Sequence, residues 1–337
     1  MTIFPDIKPY DSGRLATGDG HELYWERCGK PGGIPLVWLH GGPGSGCTAA
    51  HRRFFDPERF DVLLFDQRGC GRSTPKFSLE NNSTAHLISD IERLREMCGV
   101  ERWIVAGASW GSTLALAYAE AHPEAVSGVL VTAVFLSTDE ELAWWHCYPG
   151  APSLFPDAFE TFLHGGAAPE ASGLPAFFEH SLGEMQAEIG RGMEMLKSLE
   201  DPTAALESLR RSLLYRWTEY EERISWLNTT PDGVRESLAA RGAEFVACHS
   251  LIEAHYFANR CFLEADQLVR EAGRLDAIPV EIVQSRYDVV CPPQAAMRLK
   301  AACPHARLSL VTHNGHAMTD AVHPAFQTAA SRLADPA

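Results

Sequence analysis

A serine set between two glycines, after an apolar run and before a helix, leaves a chain few folds to choose from. Gly107-Ala108-Ser109-Trp110-Gly111 matches G-x-S-x-G and follows Trp103-Ile104-Val105-Ala106. The helix-like stretch Ser112-Thr113-Leu114-Ala115-Leu116-Ala117-Tyr118 comes directly after it. Strand, tight turn and helix in that order form a nucleophile elbow, which presents the serine hydroxyl at the end of a sheet. The glycines allow the strained turn and let the helix pack closely on the strand. The bare motif recurs by chance in loops, so its weight comes from this context and from what accompanies it.

The chain has 337 residues, enough for one large α/β domain with an insertion or for two domains. A formal net charge of −15, from 29 basic and 44 acidic residues, argues against a nucleic-acid partner, which needs a basic footprint. It reads more simply as solubility. The start, Met1-Thr2-Ile3-Phe4-Pro5-Asp6, has neither a basic nor an apolar signal region, so no secretory signal is expected. No apolar run approaches the ~18 residues of a membrane span, so no membrane partner is expected. Nine cysteines without C-x-x-C spacing suggest buried thiols in a reducing compartment, and a cytoplasmic location follows by elimination. Cys47 lies near a glycine-rich turn, so thiol reagents are expected to inactivate by obstructing the site. Oligomeric state is left open.

Short apolar runs ending in turn signals recur early: Pro35–Leu39, Phe60–Phe65, Trp103–Ala106 and the longer Val126–Phe135. Helical patterns such as Leu87–Leu94 lie between them. Continuous apolar strands alternating with amphipathic helices imply a mostly parallel sheet with helices on both faces. The pattern returns in Val280–Val283 and Ala306–Val311. The middle, by contrast, carries helical periodicity and no convincing strand. There Asp201-Pro202 opens a helix whose apolar face is Leu206, Leu209, Leu213, Leu214, Trp217 and Tyr220. The expected organisation is a first part of the core at 1–136, a helical cap at 137–241 and a second part of the core at 242–337.

A serine nucleophile needs a base and a group that orients the base. In the order Ser…Asp/Glu…His, both partners belong on loops after late strands. Asp288 follows Ile282-Val283-Gln284-Ser285, and His316 follows Leu310-Val311. His313 competes with His316, but Gly315 frees the backbone to turn just before His316, which is favoured. Acyl transfer also needs main-chain N–H donors for the developing oxyanion. His40-Gly41-Gly42-Pro43-Gly44, after the first clear strand, is placed to give one, and Trp110, the residue after the nucleophile, the other. Asp66-Gln67-Arg68-Gly69-Cys70-Gly71-Arg72-Ser73 reads as a polar network shaping nearby loops, and no catalytic role is assigned to it.

Together these segments resemble the prolyl aminopeptidase (proline iminopeptidase) family of α/β-hydrolases. The resemblance rests on Pro9–Gly13, His40–Gly44, His51–Pro57, Asp66–Pro75, Ser109–Tyr118 and Gln284–Pro292, nearly all of the core. It implies the α/β-hydrolase fold and removal of an N-terminal proline from short peptides by a Ser-Asp-His triad, with no cofactor and no metal. Position by position it implies Ser109, Asp288 and His316 as catalytic residues, with Gly42 and Trp110 as oxyanion donors. It further implies that cap glutamates hold the substrate's free amino group. Trp217-Thr218-Glu219-Tyr220-Glu221 and Ile252-Glu253-Ala254-His255-Tyr256-Phe257 match the family's patterns, which point to Glu221 and Glu253. Helix periodicity places Glu221 on the inward stripe with Trp217 and Leu214, and places Glu219 and Glu222 in solvent. For Glu253, His249 and Arg260 on its own helical face are alternative partners.

Some positions depart from the family pattern. Ala108 replaces a glycine, and Asn314-Gly315-His316-Ala317 stands where Ala-Gly-His-Ser is usual. Thr132-Ala133-Val134-Phe135 replaces Arg-Gly-Ile-Phe, which keeps Phe135 for a proline-sized pocket and loses the arginine. Trp144-Trp145-His146-Cys147-Tyr148 also differs. The expected activity is therefore a serine aminopeptidase acting on a small peptide or aminoacyl substrate, proline first. The alternative is an amidase, esterase or acyltransferase of the same fold with a reshaped cap.

Overall fold

In the computed structural model, residues 3–198 and 202–335 are described. The sheet has eight strands: β1 (Asp11–Ala16), β2 (Glu22–Gly29), β3 (Ile34–Leu39), β4 (Phe60–Phe65), β5 (Trp103–Ala108), β6 (Val126–Thr132), β7 (Val280–Ser285) and β8 (Arg307–Val311). Their order is β1-β2-β4-β3-β5-β6-β7-β8. The pairs β1·β2 and β2·β4 are antiparallel, and the pairings from β4·β3 to β7·β8 are parallel.

Helices α1 (Thr84–Met97) and α2 (Trp110–Ala121) accompany the first strands. Between β6 and β7 comes a helical run: α3 (Asp139–His146), α4 (Ala151–Leu154), α5 (Pro156–Leu163), α6 (Leu174–Ser198), α7 (Pro202–Leu209), α8 (Leu213–Ser225), α9 (Pro231–Arg241), α10 (Ala243–Ala258) and α11 (Gln267–Arg270). Helices α12 (Pro293–Ala302) and α13 (His323–Ala334) flank the last strands.

The apolar runs form strands buried on both faces. Within β3, Val37 and Leu39 join the core beneath α1 and α2, while Leu36 and Trp38 join Phe326, Ala329 and Leu333 of α13 on the other side. Period-two alternation sends neighbours to opposite faces, and each fully buried side chain contributes about 1.5–3 kcal/mol. Strands β1 and β2 went unread in the sequence. Their mixed, half-exposed residues lack an apolar signal, and the ladder to β4 is what makes them strands.

The single helical face expected from Pro202 to Tyr220 belongs to two helices. Ser212 breaks it, its Oγ accepting from the Tyr215 N–H at 3.1 Å and capping α8. The two halves then serve different cores. Leu206 and Leu209 pack with Val234 and Leu238, whereas Leu214, Trp217 and Tyr220 join the main cluster. The cap expected at Asp201 lies outside the described residues. Helix α10, assigned on sequence to the second part of the core, packs against α6 and α8, and Thr218 hydrogen-bonds Ser250 at 2.6 Å. We therefore place the end of the cap after α10 rather than at 241.

The chain reverses direction across the sheet after β4, so β3 and β5 are neighbours with their carboxyl ends together. In open α/β sheets such a switch point carries the ligand crevice. Here it joins the glycine-rich turn after β3 to the elbow after β5.

Candidate active site

Ser109 sits between β5 and α2 with φ 56° and ψ −127°, a conformation that side chains rarely adopt. Its N–H donates to the Thr132 carbonyl oxygen at 3.1 Å. The flanking glycines answer close approach. A Cβ on Gly107 would lie 2.1 Å from the Gly111 carbonyl oxygen, and one on Gly111 would lie 2.1 Å from that of Leu39. Ser112 Oγ donates to the Ser109 carbonyl oxygen at 2.6 Å and accepts from the Phe135 N–H at 3.0 Å. The elbow is thus tied to the loop after β6.

Asp288 is buried after β7, and both its carboxylate oxygens lie 3.0 Å from His316 Nδ1. The Cys291 N–H donates to it at 2.7 Å. His316 lines the same cleft as Ser109. Burial alone would lower the imidazole's pKa, but the charge and hydrogen bond of Asp288 outweigh it and hold His316 above the usual histidine range. His313, the competitor, is exposed and carries the positive φ of this loop, 63°. Gly315 has another purpose than the expected turn. A Cβ there would lie 3.1 Å from the Ser225 carbonyl oxygen, at the end of α8.

Trp110 is the first residue of α2, so its N–H has no acceptor within the helix. Gly42, at φ 103°, lines the cleft with Ser109. The Trp110 indole donates to Gln67 Oε1 at 2.9 Å, and Gln67 Nε2 donates to the His40 carbonyl oxygen at 2.9 Å. This brace comes from the loop after β4. Two arginines of the same loop are paired: Arg68 grips Asp90 at 2.6 and 2.7 Å and reaches Asp19 at 2.7 Å, and Arg72 grips Asp66 at 2.7 Å and Glu26 at 3.0 Å. The Cys47 thiol donates to the Phe65 carbonyl oxygen, and burial and then the charge of Asp66 push it well above the usual thiol range. Both effects disfavour the thiolate through which a thiol reagent would obstruct the site.

A small cavity beside Ser109 is lined by Phe135, Trp145, Phe257 and Cys291 and by three carboxyls, those of Glu141, Glu221 and Glu253. Thr132, expected to bear on substrate choice, lines neither this cavity nor the outer cleft. Trp145, from the segment that departs from the family pattern, does.

Glu221 and Glu253 come from α8 and α10. Between them stands His249, which sequence reading offered only as a possible partner of Glu253. Its Nε2 hydrogen-bonds Glu221 and lies 3.9 Å from Glu253. Its Nδ1 lies 3.1 Å from Ser45 Oγ. Arg260 turns instead toward Asp139, at 3.6 Å. Trp217 Nε1 donates to Glu253 at 2.6 Å. Burial and then the charge of Glu221 hold the Glu253 carboxyl well above the usual range. Burial also works against ionisation of Glu221, but the charge and hydrogen bond of His249 bring it net below that range. The two carboxyls are thus pushed in opposite directions, Glu221 toward the charged form and Glu253 toward the neutral one. The donor atoms of Glu221, His249 and Glu253 lie within 4.8 Å of one another, a set suited to a compact cation.

The expectation for Glu219 fails: it is 8% exposed, and burial raises its pKa. Helix α8 is covered by α9 as well as by α5 and α10, so it has no fully solvated face. Glu222 is likewise engaged, accepting from Ser237 Oγ at 3.0 Å.

The fold and this arrangement define an α/β-hydrolase, and the family model for the alpha/beta hydrolase fold matches residues 34–319. The chain is 43% identical to a proline iminopeptidase of Xanthomonas citri over 94% of this chain and 93% of that one. It is 39% identical to one from Arabidopsis thaliana, over 95% and 78%. The chain belongs to the proline iminopeptidase family of α/β-hydrolases. Among solved structures, a proline iminopeptidase-related protein from Thermus thermophilus superposes with a TM-score of 0.59 at 20% identity, covering 97% of this chain and 99% of that one. At that identity the likeness concerns the fold.

Proposed function

We propose that this chain is a serine aminopeptidase releasing an N-terminal residue, proline first, from short peptides and aminoacyl amides. The observation that carries this reading is that Ser109, Glu221 and Glu253 line one small cavity. A carboxylate buried there is stabilised by a cation, and the free ammonium of a peptide N-terminus supplies one. The apolar walls suit a pyrrolidine ring, and the scissile carbonyl then lies over Ser109.

In this reading Ser109 Oγ attacks the carbonyl carbon while His316 Nε2 takes its proton. Asp288, on Nδ1, fixes the tautomer and stabilises the imidazolium. The N–H groups of Gly42 and Trp110 receive the oxyanion. His316 then protonates the leaving amine as the C–N bond breaks, leaving an ester on Ser109. Water, deprotonated by His316, cleaves that ester and frees the amino acid.

The test compares a prolyl arylamide with its N-acetylated form. Cleavage of the free amine alone is expected, and equal rates on both overturn the reading. Loss of fluorophosphonate labelling in Ser109→Ala checks the nucleophile.

A further inference from the structure

His249 joins the two halves of the site. On one side its Nε2 meets Glu221 of the cap, and on the other its Nδ1 meets Ser45, in the glycine-rich turn after β3. The contact is built in. A Cβ on Gly44 would lie 2.9 Å from the Cys248 carbonyl oxygen and 3.1 Å from His249 Cα, so turn and helix α10 are pressed together at this point. His249 is 4% exposed, and its ring stacks on Phe245 with centroids 5.4 Å apart.

A carboxylate accepts only, so Nε2 carries the hydrogen in the contact with Glu221. Nδ1 faces Ser45 Oγ, a hydroxyl that can donate or accept, so the ring spans both contacts at once. It thereby orients Glu221 through one carboxylate oxygen.

We infer that His249 is a positioning residue that sets the distance between the amine anchor and the oxyanion turn. In an α-aminoacyl substrate a single carbon separates the amino group from the carbonyl. A site that reads both groups must hold Glu221 at a fixed place relative to the turn carrying Gly42. Ser45 and His249 connect those two points through side chains, from core to cap. This inference rests on the amine-anchor reading above and assigns the residue that gives the anchor its spacing.

The experiment measures two ratios in the intact protein. One is kcat/KM for prolyl arylamide over that for a small neutral ester. The other is kcat/KM for prolyl arylamide over that for its β-homoproline counterpart, whose amine stands one carbon farther away. For His249→Ala both ratios should fall at least tenfold, with the first loss appearing in KM. His249→Gln offers an amide N–H to Glu221 and an amide oxygen to Ser45, and should recover most of each ratio. Ratios unchanged in His249→Ala, or lost equally in His249→Gln, overturn the inference. A fall in the first ratio alone overturns the spacing role. The wild-type comparison of free and acetylated amine is separate: if that discrimination is absent, the amine anchor itself fails and the inference with it. If it is present, the variants bear on His249 alone.

Discussion

The main-chain N–H of His316 donates to the carbonyl oxygen of Ser225 at 3.1 Å. Ser225 is the last residue of α8, and its hydroxyl donates to the carbonyl oxygen of Glu221 at 2.8 Å. One cap helix therefore supports the loop bearing the candidate base and also carries Glu221, the carboxylate proposed to anchor the amine.

That contact depends on Gly315. An alanine Cβ there would press on Ser225 and Leu227, each 3.1 Å away, and push the histidine loop off the helix end. Gly315→Ala should lower kcat about tenfold, since a shift of ~1 Å at a catalytic group can cost up to ~100-fold. Steady-state kinetics beside a thermal melt would show it. An unchanged kcat would mean that the loop does not depend on the cap.

The pH profile follows from His316. The base must be neutral to accept the Ser109 proton, and Asp288 holds its pKa above the usual range. On a neutral ester, kcat/KM should therefore fall as pH drops through a value above ~6.5, the unperturbed histidine pKa. Asp288→Asn removes the charge that raises it and leaves the burial that lowers it. The acid limb should then move to lower pH while the plateau falls by roughly 10⁴. An acid limb that stays in place would detach Asp288 from His316.

The two cap glutamates should respond unequally. His249 holds the Glu221 carboxyl below the usual range against its burial, whereas burial and then the charge of Glu221 push Glu253 well above it. Glu221→Gln should raise KM for a free-amine substrate at least tenfold. Glu253→Gln alters the carboxyl that ionises less readily and should raise it less. Because the charge of Glu221 acts on Glu253, the double variant should fall short of the product of the two effects. A larger effect at Glu253 would reverse the charge assignment.

Arg68 concerns stability. Its guanidinium and Asp90 are buried against each other, with side chains 1% and 0% exposed. Removing one partner strands the other charge, which costs about 3–5 kcal/mol. Arg68→Ala should lower the melting temperature by several degrees, whereas Arg14→Ala at an exposed pair should barely move it. Equal shifts would contradict the burial argument.

Much of this was legible in the sequence where apolar pattern and turn chemistry coincide. Strands β3 to β8, the elbow and the late Asp288 and His316 loops all read directly. Residues whose state depends on distant neighbours did not. Strands β1 and β2 exist by pairing with β4. Glu219 is buried because α9 covers a face that periodicity leaves to solvent. Gly315 is required by a helix end some ninety positions earlier in the chain. His249 gave only a faint signal, four residues before Glu253 on one helical face. Its link to Ser45 spans 204 residues, and no local pattern contains it.

The cavity at Ser109 is small, and Glu253 in its lining is held from behind by the Trp217 indole, which donates to it at 2.6 Å. Under the proposed amine anchor, this arrangement would work as a ruler. A residue upstream of the bound one would have to displace carboxylates fixed in their places, so a chain end would reach the nucleophile and an internal peptide bond would not. Selectivity for loose ends would then come from the shape of the pocket itself.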